Sequence, residues 1–205
     1  MSAVDRYKVF ILAGEASGDA LAAHQMAGLK AMSPDIEFQG VGGPLMMEQG
    51  LKSLFPMEEL SVMGLVEVLP KLPQLLKRIR QTATAVRKFS PDIFITVDAP
   101  DFSSRVARQL KGSDFPKVHY VAPSVWAWRP GRAKKIAGLY DHLLTLLPFE
   151  PPYFEAVGLS ADFVGHSVIE SGADKGDGPA FRARHGIKPD ERLLMLLPGS
   201  RRGEV

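Results

Sequence analysis

The chain has 205 residues, with 25 basic and 23 acidic side chains, a net charge of +2 and 45% hydrophobic residues. At about 100–200 residues per domain, this length allows one domain, or one domain and part of another. The absence of cysteine excludes a disulfide scaffold, a thiol nucleophile and a thiolate metal site, and favours the cytoplasm. No apolar run reaches the ~18 residues that span a bilayer, and the charged Asp5, Arg6 and Lys8 are atypical of a signal peptide.

Short β-rich runs alternate with helix-like stretches along the chain. Strands are predicted at Tyr7–Ala13, Ile36–Val41, Asp92–Val97, Lys117–Val121, His142–Leu147 and Leu193–Leu197. Helices are predicted at Asp19–Met32, Leu72–Phe89, Phe102–Lys111 and Pro179–His185. The first and third strands are apolar almost throughout, which is typical of strands buried on both faces. The alternation predicts an α/β fold, with a parallel sheet and helices on both of its faces.

A boundary is predicted where the apolar pattern stops. The segment Ser171–Pro179 is rich in glycine and charge, which is typical of a linker or an exposed loop. We therefore predict a first domain over residues 1–165 and a linker over 166–190. Residues 191–205 are predicted to form the first strand and the following turn of another lobe.

The first predicted strand runs into the loop Ala13–Asp19, and ligands of parallel sheets bind at such carboxyl ends. Gly14 and Gly18 allow a ligand to approach the backbone, and the next helix offers free N–H groups to an anion. The spacing does not match the GxGxxG pattern of dinucleotide sites. A tight turn capped by Ser17 or Asp19 is an equally good interpretation of this loop.

Asp98 follows another predicted strand directly. A carboxylate at this position can act as a general base toward a hydroxyl nucleophile. Asp101 is better placed to cap the helix predicted to begin at Phe102. Capping turns is an alternative role for both aspartates, but we favour Asp98 as the functional one.

Two later loops also follow predicted strands. Val121–Arg132 contains Trp126 and Trp128 among basic residues, so it is predicted either to line a sugar or phosphate site or to pack a loop on the core. The turn after Leu197 offers backbone N–H groups, the Ser200 hydroxyl and the Arg201 guanidinium, which together suit a diphosphate.

The segment from Ser61 to Lys88 combines clustered apolar residues with a purely basic second half. Its apolar residues are Val66, Val68, Leu69, Leu72, Leu75 and Leu76, and Lys71–Lys88 contains six basic and no acidic residues. Pro70 and Pro73 favour short bent helices over one long helix. The composition fits a segment that binds a membrane surface, or an ordinary amphipathic helix with its leucines in the core. Nucleic-acid binding is disfavoured because the whole chain is not strongly basic.

Taken together, these stretches resemble the lipid-A-disaccharide synthases, bacterial glycosyltransferases of lipopolysaccharide biosynthesis. The resemblance rests on ordered strings from residue 7 to the end of the chain. They read AGEASGD, GVGGP, MEELSVMGLVEVL, PDIFITVDAPDF, HYVAPSVWAWR, LPFE, FVGH and LLPGSRRGEV.

The resemblance implies a GT-B glycosyltransferase with two Rossmann-like lobes, of which residues 1–165 form the N-terminal, acceptor-side lobe. The implied reaction joins UDP-2,3-diacylglucosamine to 2,3-diacylglucosamine 1-phosphate (lipid X), with inversion, giving the β-1,6 disaccharide 1-phosphate and UDP. The implied catalytic base is Asp98, and no cofactor or metal is expected. The implied substrate-binding residues are Gly14, Glu15, Ser17 and Gly18 in the first loop and Gly199, Ser200 and Arg201 in the donor-diphosphate turn. His119, His142 and His166 are expected to be structural or polar lining residues.

The resemblance also favours membrane or acyl-chain contact for the six apolar residues of the 66–76 cluster. It implies a cytoplasmic protein, peripheral on the inner membrane of a Gram-negative bacterium, and leaves a homodimer of the full-length protein open. Because GT-B enzymes need a second lobe, this chain alone is expected to be inactive or nearly so. The alternatives are a membrane-binding module without catalysis and another UDP-sugar GT-B enzyme, such as an epimerase or the peptidoglycan glycosyltransferase.

Overall fold

The computed structural model describes residues 6–60, 65–169, 172 and 174–197, and for residues 65–69 it describes the backbone only. The chain divides into two compact units, Met1–His166 and Ser167–Val205.

The first unit alternates strands and helices along its length. Its strands are β1 (Lys8–Ala13), β2 (Glu37–Val41), β3 (Lys52–Ser53), β4 (Ile93–Val97), β5 (Lys117–Tyr120), β6 (His142–Thr145) and β7 (Ser160–Phe163). Its helices are α1 (Ala16–Met32), α2 (Pro44–Glu48), α3 (Leu65–Phe89), α4 (Pro100–Gln109), α5 (Gly131–Ala137) and α6 (Pro151–Glu155), with a 3-10 turn at Met57–Glu59.

The seven strands form one parallel sheet in the order β3-β2-β1-β4-β5-β6-β7. The chain first builds outward from β1 to β3, then crosses back so that β4 pairs with the other side of β1. The strand order therefore reverses between β1 and β4. Ligands of open α/β sheets bind in the crevice that this reversal opens at the carboxyl ends of the strands.

Alternate residues of β1 belong to two separate apolar clusters, as expected for a strand buried on both faces. Phe10 and Leu12 belong to the apolar cluster that also contains residues of α3, α4, α5 and α6. Val9, Ile11 and Ala13 pack with residues of α1 and α2. The prediction of an α/β fold with a parallel, Rossmann-like sheet and helices on both faces is confirmed.

The polar side chains buried in this unit include a histidine. His119 on β5 is 1% exposed, and its Nδ1 lies 2.7 Å from Oγ1 of Thr96 on β4. Its ring stacks on that of Tyr140 with the centroids 4.9 Å apart. Burial lowers the pKa of His119 to about 4, and it also raises the pKa of Tyr140 well above its usual value. His119 is therefore a neutral core residue.

This low pKa predicts a pH-dependent stability. In the unfolded chain His119 is protonated below pH ~6.5, whereas in the folded chain it stays neutral until about pH 4. The contribution of neutral His119 to the free energy of unfolding is therefore complete above pH ~6.5 and is lost as the pH falls toward 4. Between pH 7 and pH 5 the free energy of unfolding should fall by about 2 kcal/mol from this residue. We expect His119→Asn to flatten the pH dependence of urea unfolding by that amount relative to His24→Asn at an exposed position. Identical pH dependence in both variants would contradict the expectation.

Two predictions about secondary structure are wrong. Pro70 and Pro73 do not divide the segment, because α3 continues through both as one helix of 25 residues. Both rings are exposed, so water can replace the backbone N–H donors that the prolines lack. Leu193–Leu197 forms neither strand nor helix. A strand needs a hydrogen-bonded neighbour, and within the described residues of the second unit no strand pairs with this run.

The second unit contains a 3-10 turn at Ser167–Ile169 and helix α7 (Gly178–His185). Oδ1 of Asp177 accepts a 2.9 Å hydrogen bond from the backbone N–H of Ala180, which caps α7, and Gly186 ends the helix at φ +66°. The helix predicted at Pro179–His185 is confirmed, and it lies inside the stretch predicted as a linker.

Candidate active site

The loops after β1 and β4 meet at the point where the strand order reverses. Oγ of Ser17, in the first turn of α1, donates a 3.2 Å hydrogen bond to Oδ2 of Asp98, which directly follows β4. Ser17 is exposed and Asp98 is half-buried. A carboxylate held by one hydroxyl and still open to solvent can accept a proton from a bound molecule.

The backbone around Asp98 is unusual. Asp98 and Ala99 both adopt left-handed conformations, with φ values of +53° and +46°. The N–H of Asp98 donates to the carbonyl of Tyr120, and its carbonyl accepts from Ser103 Oγ, both at 3.0 Å. A left-handed alanine costs free energy, and such strain is concentrated at functional sites. The turn therefore fixes Asp98 at the tip of β4, between the amino ends of α1 and α4.

Asp19 has a different role from the predicted one. It is 3% exposed, and its carboxylate accepts hydrogen bonds from the N–H groups of Gly43, Leu45 and Met46 at 2.8, 3.0 and 3.1 Å. It therefore caps α2, while α1 begins after Glu15 with no side-chain cap. A Cβ on Gly43 would lie 2.6 Å from Oδ2 of Asp19, so this close contact requires a glycine at position 43. The interpretation of Ser17 or Asp19 as the cap of α1 is wrong.

Asp101 is also not a cap. Helix α4 begins at Pro100 with Ala99 in the capping position, so Asp101 lies in its first turn with an exposed side chain. Proline at the first position favours this earlier start, because it has no N–H that would need a cap.

Gly14 and Gly18 allow the first loop to pack closely against the Asp98 turn. A Cβ on Gly14 would lie 2.7 Å from the Cβ of Ala99, and one on Gly18 would lie 3.1 Å from the carbonyl oxygen of Val97. Real side chains do not approach so closely without displacing a neighbour. The contact between Ser17 and Asp98 therefore depends on these two glycines.

Gly14→Ala should push the two loops apart. We expect the free energy of unfolding to fall by about 1–3 kcal/mol, the usual cost of overpacking a filled site. The matched control is Gly28→Ala in α1, where an added Cβ meets nothing within 4 Å and the unfolding free energy should rise by about 0.5–1 kcal/mol. Urea unfolding of both variants measures the difference. Equal effects of the two substitutions would show that the close contact between Gly14 and Ala99 does not affect stability.

The two tryptophans after β5 are not core residues. Trp126 is 44% exposed and packs edge-on against Phe149, with the centroids 5.3 Å apart. Trp128 is 56% exposed, and the guanidinium carbons of Arg129 and Arg132 lie 4.2 and 5.5 Å from its ring centroid. This loop therefore presents aromatic and cationic groups together at the carboxyl side of the sheet.

A bidentate salt bridge connects helix α3 to the 3-10 turn at Met57–Glu59. Nε and Nη2 of Arg78 donate 2.7 Å hydrogen bonds to the two carboxylate oxygens of Glu59, and Gln74 donates another at 2.7 Å. These bonds hold the pKa of Glu59 below its usual value, and the bond from Arg78 has the largest effect. The Arg78 guanidinium also covers the ring of Phe55 at 4.5 Å. The orientation of α3 is therefore fixed at this point.

The leucines of the 66–76 cluster do not all share one environment. Leu75 is half-buried and packs against the larger apolar cluster, whereas Leu76 is 40% exposed. Leu72 is half-buried. The side chains of Val66, Val68 and Leu69 lie outside the described part of the chain, as do Gly199, Ser200 and Arg201 of the predicted diphosphate turn.

Neither a metal-binding group of side chains nor a membrane-spanning helix is present in the described ranges. There, no three histidine, aspartate or glutamate side chains are grouped so that they could hold a metal ion. None of the helices in the same part of the chain has both the length and the apolar composition needed to cross a bilayer.

Sequence comparisons identify a family and close relatives. The profile of the lipid-A-disaccharide synthetase family matches residues 9–205. The chain is 62% identical over 200 residues to a lipid-A-disaccharide synthase of Rhodospirillum centenum, covering 96% of this chain and 50% of that protein. A lipid-A-disaccharide synthase of Ruegeria pomeroyi is 59% identical over 200 residues, covering 97% and 50%. The chain spans about half the length of these curated relatives.

Two solved structures share the fold at low sequence identity. A S. aureus MnaA–UDP complex superimposes with a TM-score of 0.60 at 12% identity, covering 87% of this chain and 50% of that one. A UDP-GlcNAc 2-epimerase from Neisseria meningitidis bound to UDP-GlcNAc gives 0.56 at 10% identity, covering 87% and 52%. At these identities the likeness establishes the α/β fold of the chain.

Proposed function

Because the chain belongs to the lipid-A-disaccharide synthetase family, we propose that it carries the acceptor side of an inverting, metal-independent hexosyltransferase. The proposed donor is UDP-2,3-diacylglucosamine, and the proposed acceptor is 2,3-diacylglucosamine 1-phosphate (lipid X). The products are the β-1,6-linked disaccharide 1-phosphate and UDP. The observation that carries the proposal is the carboxylate of Asp98, held by Ser17 at the reversal point of the sheet.

In the proposed reaction, the 6-hydroxyl oxygen of the acceptor attacks the anomeric carbon of the donor. A new carbon–oxygen bond forms as the bond to the UDP oxygen breaks, and the hydroxyl proton passes to the carboxylate of Asp98. A single displacement inverts the anomeric centre and requires one base. Ser17 orients that base, because its hydroxyl donates to Oδ2 and leaves Oδ1 for the acceptor. By resemblance, Gly199, Ser200 and Arg201 are proposed to bind the leaving diphosphate, and Glu15 is proposed to bind substrate.

The activity can be tested with a chimera, in which this chain is followed by the second half of the Rhodospirillum centenum relative. We expect the chimera to release UDP from UDP-2,3-diacylglucosamine when lipid X is present and not when it is omitted. Use of a free soluble sugar in place of lipid X would favour a different UDP-sugar enzyme. Lipid binding without UDP release would favour the membrane-binding module.

We further propose that the exposed side of α3 contacts the membrane that holds the acylated substrates, and that the protein works in the cytoplasm at the inner-membrane surface. Leu76 is exposed next to Lys77 and one turn before Arg80, and Lys71 is exposed next to Leu72. Apolar side chains flanked by basic ones bind anionic lipid through insertion and charge attraction together. Leu75 faces the core, so the contact is assigned to Leu72 and Leu76 among the described leucines.

The double variant Leu72→Ser/Leu76→Ser should weaken binding to phosphatidylglycerol vesicles without unfolding the protein. Removing two inserting side chains of about 1.5–3 kcal/mol each predicts at least a tenfold loss of vesicle affinity in a flotation assay. The matched control is Leu75→Ser, which should lower the melting temperature because Leu75 packs on the core. If the double variant binds vesicles normally, or loses its cooperative melting transition, the membrane proposal is wrong.

A further inference from the structure

A basic cavity lies between α4 and α5, beside the turn that carries Asp98. Its volume is about 770 Å³. Its charged lining residues are Asp101, Arg105, Arg108, Arg129, Arg132 and Lys135. Five cations therefore face one acidic side chain around a single cavity. We refer to it as the basic cavity.

The positive charges of the basic cavity are not neutralised within the part of the chain that the structure describes. There, none of the five cationic side chains forms an ion pair with a carboxylate. Arg129 and Arg132 instead lie against the face of Trp128, which orients their guanidinium groups without cancelling their charge. Like charges held around one cavity repel each other, and a bound anion relieves that repulsion. The basic cavity is therefore suited to an anionic ligand.

The composition of the lining points to a phosphate ester. Arg105 and Arg108 lie three residues apart on α4, so they project from one side of that helix. Arg132 and Lys135 have the same spacing on α5, on the other wall. A phosphate monoester has three terminal oxygens and up to two negative charges, so it can engage several guanidinium groups at once, whereas a carboxylate has two oxygens and one charge.

The position of the basic cavity indicates which phosphate it binds. Pro100 and Asp101 line it, and they follow Asp98 by two and three residues. In the acceptor of the proposed function, the reacting 6-hydroxyl is attached through C5 and the 1-phosphate through C1, the two carbons that flank the ring oxygen of one sugar. A base and a phosphate site for this molecule must therefore be neighbours without coinciding. We propose that the basic cavity binds the 1-phosphate of the acylated sugar acceptor, an inference that rests on the proposed function.

This assignment gives the basic cavity two roles. It would orient the acceptor so that its 6-hydroxyl reaches Asp98, and it would discriminate against acylated sugars that lack the phosphate. Arg105 and Arg132 would then contact the acceptor from opposite walls.

Calorimetry with this chain can test the assignment. The probes are 2,3-diacylglucosamine 1-phosphate with short acyl chains and the same compound without its phosphate. We expect Arg105→Gln and Arg132→Gln each to weaken binding of the phosphorylated probe by about 10- to 100-fold, the usual loss for a hydrogen bond to a charged group. Both variants should bind the unphosphorylated probe as the original chain does. The control is Lys134→Gln, an exposed residue of α5 outside the cavity lining, which should change neither affinity.

Three results would overturn the assignment. They are unchanged binding of the phosphorylated probe, an equal loss with both probes, and a loss of phosphatidylglycerol-vesicle binding with acceptor binding intact. The last result would assign the basic cavity to lipid headgroups. Melting temperatures equal to that of the original chain would show that the variants are folded. The proposed function fails separately: the chimera would then form no disaccharide, while the phosphate-dependent loss of binding would persist.

Discussion

Asp98→Asn should reduce disaccharide formation by the chimera by about 100- to 10,000-fold, the usual contribution of a general base. Asparagine has the size of aspartate and tolerates the left-handed φ of +53° at this position, so the turn should stay intact. Its amide oxygen can still accept the Ser17 hydrogen bond. The substitution therefore removes the proton acceptor and little else. The measurement is the rate of product formation at saturating donor and acceptor.

The matched control for this prediction is Asp114→Asn. Asp114 is exposed and lies just before β5, at the opposite, amino edge of the sheet. We expect its rate to stay within a factor of two of the original chimera. If Asp98→Asn forms product at the same rate as this control, Asp98 is not the base.

The second large effect is expected for Asp19→Ala, which should lower the free energy of unfolding by about 3 kcal/mol or more. Three backbone N–H groups bond to this carboxylate, and those of Gly43 and Met46 are buried. Without an acceptor, these buried N–H groups would stay removed from water with no hydrogen bond to compensate. The loop between β2 and α2 would also lose its attachment to α1. Urea unfolding of this chain measures the change.

Asp35→Ala is the control for Asp19, because Asp35 is exposed in the turn between α1 and β2. Its unfolding free energy should change by less than about 0.5 kcal/mol, as is usual for a surface site. A loss for Asp19→Ala no larger than this would mean that the three hydrogen bonds contribute nothing net.

The central strands could be predicted from local sequence, and the edge strands could not. The apolar runs of β1 and β4 reflect burial on both faces, a requirement that every residue of the run shares. Strand β7 is at the sheet edge and has one buried residue, Ala161, so its sequence carries no apolar run. Leu193–Leu197 shows the converse, since five apolar residues in a row form no strand without a neighbour to pair with.

The candidate site was partly predictable for a similar reason. The position of Asp98 at the tip of β4 could be predicted because it directly follows a recognisable strand, and its role as the base stays a prediction. The role of Asp19 could not be predicted, because the backbone N–H groups that bond to it begin 24 residues later. They reach Asp19 only when α1 and α2 pack together. Arg105 and Arg108 were missed as members of the basic cavity. Their three-residue spacing after the Asp98 turn was visible, but the basic residues of α5 join them only through the tertiary fold.

The most direct test of the proposed reaction is the structure of the disaccharide that the chimera makes, determined by nuclear magnetic resonance. Direct displacement with Asp98 as base predicts one product, a 1,6-linked disaccharide whose new anomeric centre is β. It also predicts that Asp98→Asn forms that product about 100- to 10,000-fold more slowly, whereas Asp114→Asn forms it at nearly the original rate. An α linkage, a linkage to another hydroxyl, or no disaccharide from the folded chimera would contradict the account.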